Sequence, residues 1–146
     1  MILGNIIGKV TTLNFTFQVN TTARKFQYVQ VMHEQAGFIL AQITEIIKDS
    51  DKTIANCNIL GYREDNILRS LTFPLEPGTE VLDADDDLIH STLGLDGKDA
   101  YIGKLQDKEL KVYLDLNKLL TKHVNILAKS GSGKSYCTGI IIEELL

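Results

Sequence analysis

Phe15-Thr16-Phe17-Gln18-Val19-Asn20 alternates apolar and polar side chains without a break. Successive side chains of a strand point to opposite faces, so Phe15, Phe17 and Val19 share a buried face while Thr16, Gln18 and Asn20 share a wet one. Short apolar runs of the same period extend over residues 5–62, which predicts consecutive antiparallel strands. Asn20-Thr21-Thr22 supplies one turn and Gln35-Ala36-Gly37 breaks the chain before residues 38–47. Asp49-Ser50-Asp51-Lys52 breaks it again, before Ala55, Cys57 and Ile59 alternate with Asn56 and Asn58. Between Tyr28 and Val29 the apolar phase switches, which predicts a bulge that bends a strand around a barrel. Short antiparallel strands at this spacing must hide their edges, and a small closed barrel does so with the fewest residues. The expected fold is therefore mainly β, a closed antiparallel barrel of about six strands. A two-sheet sandwich is the structural alternative, because periodicity along a strand does not report whether the sheet closes.

Beyond this region, residues 67–73 read as a weaker strand ending at Pro74, and Glu76-Pro77-Gly78-Thr79 as a strong turn. Residues 76–87 carry six acids and no base. Asp83, Asp85 and Asp87 have the spacing of a calcium loop, but Leu88 stands where that loop requires Gly and Gly94 where it requires Glu. The better reading makes Asp83 the cap of a short helix, with residues 85–87 in its first turn, where the helix dipole favours negative charge, and with its end at Gly94. Residues 101–105 and 111–114 read as two more short strands, the second a barrel strand reaching a turn at Asp115, and residues 115–120 as a helical turn. The expected organisation is a barrel domain over 1–120 with a helical insertion near 84–93, then a different unit over 121–146.

The 146 residues, 44% apolar and 23% charged, suit one packed domain with an appendage and are too apolar for a disordered chain. No apolar run approaches the length of a membrane span, and no basic residue precedes the short apolar start, so no secretory signal is read. A cytoplasmic protein without membrane contact is expected, and two distant cysteines, Cys57 and Cys137, fit a reducing compartment. Cys57 is expected in the core and Cys137 buried in the last helix. His33, His90 and His123 are scattered without a second ligand at metal spacing and read as structural. The net charge of −4 argues against a phosphate-coating surface, so little direct DNA binding is expected.

The pattern changes near the C-terminus. His123-Val124-Asn125-Ile126-Leu127 reads as a buried strand, Ala128-Lys129-Ser130-Gly131-Ser132-Gly133-Lys134-Ser135 follows, and a helix runs on through Tyr136 to Leu146. Strand, Gly-rich loop, Lys-Ser and helix in that order make a P-loop. Its glycines let backbone N–H groups converge on phosphate oxygens at distances a side chain would obstruct. Residues 128–136 are thus the expected nucleotide-binding set, with Lys134 for the β- and γ-phosphates of ATP and Ser135 as the Mg2+ ligand. Ala128 replaces the commoner Gly at the first, least demanding position. Tyr136, Cys137, Ile140, Ile141, Ile142, Leu145 and Leu146 are expected to cover most of the helix surface. A second acidic anchor for magnesium and a group that positions water must come later in such an ATPase. The chain therefore reads as the N-terminal piece of a longer protein, holds no catalytic residue of its own and is expected to be inactive alone.

The P-loop, the preceding Leu116-Asn117-Lys118-Leu119-Leu120-Thr121-Lys122-His123 and the upstream Glu76-Pro77-Gly78-Thr79-Glu80-Val81 resemble the HerA family of DNA translocases and helicases. The resemblance implies a HAS barrel followed by the start of a RecA-like α/β motor. It further implies a hexameric ring, translocation on double-stranded DNA through motor residues outside this chain, and a partner nuclease in DNA end processing and repair. Two other readings share the barrel and P-loop: a subunit of a rotary-type ATPase, and a non-enzymatic module for assembly or nuclease docking.

Overall fold

The computed structural model describes residues 1–144 except Asn66, Asp96 and Asp107. It divides into two compact units, Met1–Leu93 and Gly94–Leu146. The division falls ahead of the expected boundary at 120/121, which lies inside the second unit.

In the first unit the alternating segments form β1 (Ile2–Ile7), β2 (Asn14–Val19), β3 (Tyr28–His33), β4 (Gly37–Lys48), β5 (Thr53–Glu64), β6 (Ile67–Arg69) and β7 (Glu80–Asp83). Hydrogen bonding runs in the order β2-β1-β7-β3-β4-β5-β6, and a further pairing of β2 with β5 closes six of these strands into a ring. All neighbours are antiparallel. The expected closed barrel of about six strands is present, and the sandwich is excluded by the β2–β5 ladder. Leu3, Ile6, Phe15, Phe17, Val19, Val29, Val31, Ile39, Ala41, Ile43, Ala55, Cys57 and Val81 fill its interior.

The structure corrects four details. The sixth barrel strand is β7, where the sequence shows only a crowd of acids: Val81 alone is fully buried there, and four residues are too few to display a period. Residues 67–73 do not form one strand. Only β6 pairs, on the end of β5 and outside the ring, after which the chain leaves the sheet and sends Leu71 and Leu75 into the core as a plug. The bend expected at Tyr28/Val29 lies earlier. Register is unbroken from Tyr28 to His33, while Ile43 accepts from the Phe26 N–H and donates to the Gln27 carbonyl, so that two residues oppose one. A second bulge in β4 leaves Thr44 unmatched, and its hydroxyl donates to the Asn56 carbonyl at 3.1 Å.

The last detail concerns the acids of residues 83–87. A helix, α1 (Asp86–Leu93), forms as expected and ends at Gly94, whose φ of 66° is left-handed. Its first turn starts from the Asp85 carbonyl, which accepts from the Ile89 N–H, so Asp83 is not the cap and belongs to β7. Gln27 Nε2 donates to Asp83 Oδ1 at 2.7 Å. Gln30 Nε2 donates to Asp85 Oδ2 at 3.1 Å and Gln30 Oε1 accepts from the Asp85 N–H at 2.9 Å. Among the described residues no group of three or more metal-ligating side chains assembles.

Gly4 marks the closest approach in the barrel: a Cβ there would lie 1.8 Å from the Gln18 carbonyl oxygen. Gly4→Ala must force β1 away from β2. We expect a loss of about 1–3 kcal/mol of barrel stability, read as a lower denaturant midpoint with the slope unchanged.

Candidate functional site

The second unit begins with a two-stranded antiparallel sheet, β8 (Ala100–Lys104) and β9 (Lys111–Leu114). Residues 111–114 were expected as a barrel strand; β9 pairs with β8 alone and is not part of the ring. The Tyr101 and Tyr113 rings meet across the pair at 5.5 Å. Asp115 then caps α2 (Leu116–Leu120): its carboxylate accepts from the Lys118 N–H at 3.0 Å and pairs with Lys118 Nζ at 3.2 Å. The backbone N–H of Lys118, followed by its ammonium, holds the Asp115 carboxyl below the usual carboxylate range.

The expected buried strand over residues 123–127 is absent. These residues have no regular structure, and Leu127 is 92% exposed. A continuous apolar strand of this kind draws its hydrogen bonds from parallel neighbours and its burial from covering helices. Among the described residues none pairs with it.

The loop itself is formed. Gly131 at φ 81° and Gly133 at φ 89° both occupy the left-handed region, and neither would have an atom within 4 Å of an added Cβ. The Ser132 N–H bonds the Lys129 carbonyl at 3.2 Å and its hydroxyl bonds the same oxygen at 2.7 Å, which fixes the turn. Gly133 then begins α3 (Lys134–Glu143), and its carbonyl accepts the first helical bond, from the Cys137 N–H at 2.9 Å. A glycine cap has no side chain to occupy the free N–H groups of the first turn, and no acid stands in that turn. These donors and the positive end of the helix dipole therefore face the loop. Ala128, Lys129, Ser130, Gly131, Gly133, Lys134, Ser135 and Tyr136 line one open concavity of about 540 Å³. Of the expected set only Ser132 is not on its wall, because its hydroxyl is folded back onto Lys129.

The helix beyond is less covered than its composition suggests. Ile140 and Ile141 are half-buried, Tyr136, Cys137 and Ile142 are exposed, and Leu145 and Leu146 lie outside the described residues. The Tyr101 N–H on β8 donates to the Glu144 carboxylate at 3.4 Å. Cys137, expected buried, is exposed: it shares the helix face of Ile140 and Ile141 but lies one turn nearer the loop, ahead of the half-buried stretch 139–141. Cys57 is in the core as expected, and burial pushes its thiol well above the ordinary range. His33 has a structural part: its Nδ1 accepts from the Gln35 and Ala36 N–H groups at 3.2 Å each. No helix among the described residues is long and apolar enough to cross a membrane.

The family described as "Helicase HerA, central domain" matches residues 100–146. The chain is 31% identical over 99% of its length to a probable DNA double-strand break repair helicase HerA of Methanocaldococcus jannaschii, of which the match covers 29%. It is 33% identical over 70% of its length to the DNA double-strand break repair helicase HerA of Pyrococcus furiosus, covering 18% of that protein. A second M. jannaschii protein, named a probable helicase, is 26% identical over 99% of this chain and 33% of its own length. The chain thus spans no more than about a third of the length of each of these three relatives.

The burial contrast predicts the thiol chemistry. With an aromatic disulfide reagent under native conditions, Cys137 reacts and Cys57 does not until denaturant is added. Two equivalents released natively would contradict the placement of Cys57 in the core.

Proposed function

The chain belongs to the HerA family, and on that premise we propose that it is the N-terminal part of an ATP-dependent, hexameric double-stranded DNA translocase and helicase that works with a nuclease in DNA end processing. In this reading Met1–Leu93 is the HAS-type barrel, used for assembly or partner docking. The RecA-like motor begins near residue 100, where the family match starts, ahead of the boundary at 121 expected from the sequence.

The observation that carries the reading is the pair of left-handed glycines, Gly131 and Gly133, set directly before an uncapped helix N-terminus with Lys134 and Ser135 as its first residues. The loop fits a polyphosphate: a Cβ-free backbone, free N–H donors, a lysine and an open concavity converge there. Residues 128–136 hold the nucleotide, Lys134 neutralises its terminal phosphates and the Ser135 hydroxyl is a ligand for Mg2+. Magnesium, when bound, supplies charge neutralisation on the phosphate oxygens. Asp115, the acid that ends β9, is engaged as a helix cap and is not assigned to the metal. Val124, Ile126 and Leu127 gain their strand when parallel neighbours of the motor sheet are present.

DNA is gripped by motor residues outside this chain. Residues 1–93 hold 12 acids against seven bases, a balance that disfavours duplex phosphates. Location in the cytoplasm and action without a membrane complete the proposal.

Titration calorimetry of residues 1–146 with ATP and magnesium should show binding that Lys134→Ala weakens by at least about tenfold, since one charge-assisted contact of this kind contributes roughly 1.5–3 kcal/mol. A phosphate-release assay on the same chain should show no turnover above background. Equal affinity of the variant would remove the loop from nucleotide binding, and steady turnover lost in Lys134→Ala would overturn the inactivity.

A further inference from the structure

Phe26 stands at φ 71°, in the left-handed region that a bulky aromatic residue rarely adopts. The conformation is fully held. Its N–H donates to the Ile43 carbonyl at 2.8 Å, its carbonyl accepts from Gln42 Nε2 at 3.1 Å, and the turn it belongs to is tied to β7 by the Gln27–Asp83 bond. The ring that this backbone presents is 44% exposed, with Lys25 Nζ 5.0 Å from its centroid. Phe26 is not among the residues that fill the barrel. A strained residue fixed so as to point an aromatic outward marks a contact site.

At the other end of β3, which begins two residues after Phe26, lies a groove of about 230 Å³. Met32 and Phe73 are its exposed apolar walls, and Glu34 and Glu76 are its acids. The loop plug explains its shape: Leu71 and Leu75 face the core and turn Phe73 outward between them. Knob and groove are complementary. One offers an aromatic ring beside a lysine, the other a mixed groove in which Met32, Phe73 and Pro74 stand beside the carboxylates of Glu34 and Glu76, and because they sit at opposite ends of one strand they cannot meet within one barrel.

We propose that Phe26 and Lys25 of one chain dock into the Met32–Phe73 groove, between Glu34 and Glu76, of a second copy. The contact is heterologous, each barrel using its knob on one neighbour and its groove on the other, and such contacts generate a ring when the rotation closes. The inference rests on the proposed hexamer for that closure alone.

Sedimentation of the full chain, without nucleotide or DNA, tests it. Wild type should self-associate with rising concentration. Phe26→Gly removes the ring and suits the left-handed backbone, so it should keep or raise the thermal midpoint while weakening association at least about tenfold. Lys25→Glu and Glu76→Lys should each weaken association alone. An equimolar mixture of the two should regain it, because the wild-type knob of one variant meets the wild-type groove of the other. A monomeric wild type overturns the proposal. So does association that Phe26→Gly leaves unchanged, which would leave the ring itself standing on another surface. Nucleotide binding is read separately through Lys134, so neither result decides that reading.

Discussion

The β2–β5 ladder is the constraint on which the first unit depends. Without it the other pairings would form an open sheet with two long edges; with it, six strands share one interior. The register of this ladder matches side-chain size. Phe17 lies opposite Ala55 and Phe15 opposite Cys57, so each large ring at the seam faces a small partner. A six-stranded barrel is narrow, and large residues facing each other across every ladder would not fit it. Bulges in β4 and ahead of β3 let the sheet coil far enough to meet itself. The Thr44 hydroxyl and the Asn56–Glu45 and Asn56–Thr16 hydrogen bonds occupy polar groups along the β2–β5–β4 face near the bulge.

Closure leaves an outer surface that β3 and β4 cannot expose entirely. Leu40 lies between core residues Ile39 and Ala41 and so points outward, as Gln30 does between Val29 and Val31, and the two are register partners. Both are buried, and so is Ile89 of α1, which packs on β4 and β5. The two hydrogen bonds between Gln30 and Asp85 satisfy an amide that is only 5% exposed and at the same time set where α1 begins. A buried amide of this kind costs stability unless it is bonded, so the pair both permits the burial and fixes the helix. The acids of residues 83–87 therefore serve the junction of sheet and helix.

These particulars show how much was legible in the sequence. Phe15, Phe17 and Val19, Ala55 and Cys57, and the breaks at Gly37 and Asp49 display a period of two over enough residues to identify strands, and closure follows from the need to hide edges. β7 was illegible because Val81 is its one buried residue and four acids surround it within residues 76–85. Residues 67–73 read as one strand, but of their apolar side chains only Leu71 enters the core, and Leu75, beyond Pro74, joins it there. At the candidate site the loop was legible, because Gly131 and Gly133 name their own backbone conformation. Residues 123–127 and Cys137 were not, since a parallel strand and a covered helix depend on partners that no local pattern contains.

Positive φ links the two surfaces to which a function is assigned, at very different cost. Gly131 and Gly133 enter the left-handed region without steric penalty, so a loop that must offer bare N–H groups is built from the residue type that adopts this shape most readily. At Phe26 the same region costs about 1–3 kcal/mol, and here the ring is the part that must be displayed. Glycine would relieve the strain and lose the display. The barrel offsets the cost with hydrogen bonds to both backbone groups of Phe26, from β4, whose position is fixed on its other side by β5. The strain is thus held locally, by β4 through Gln42 and Ile43 and by β7 through the Gln27–Asp83 bond.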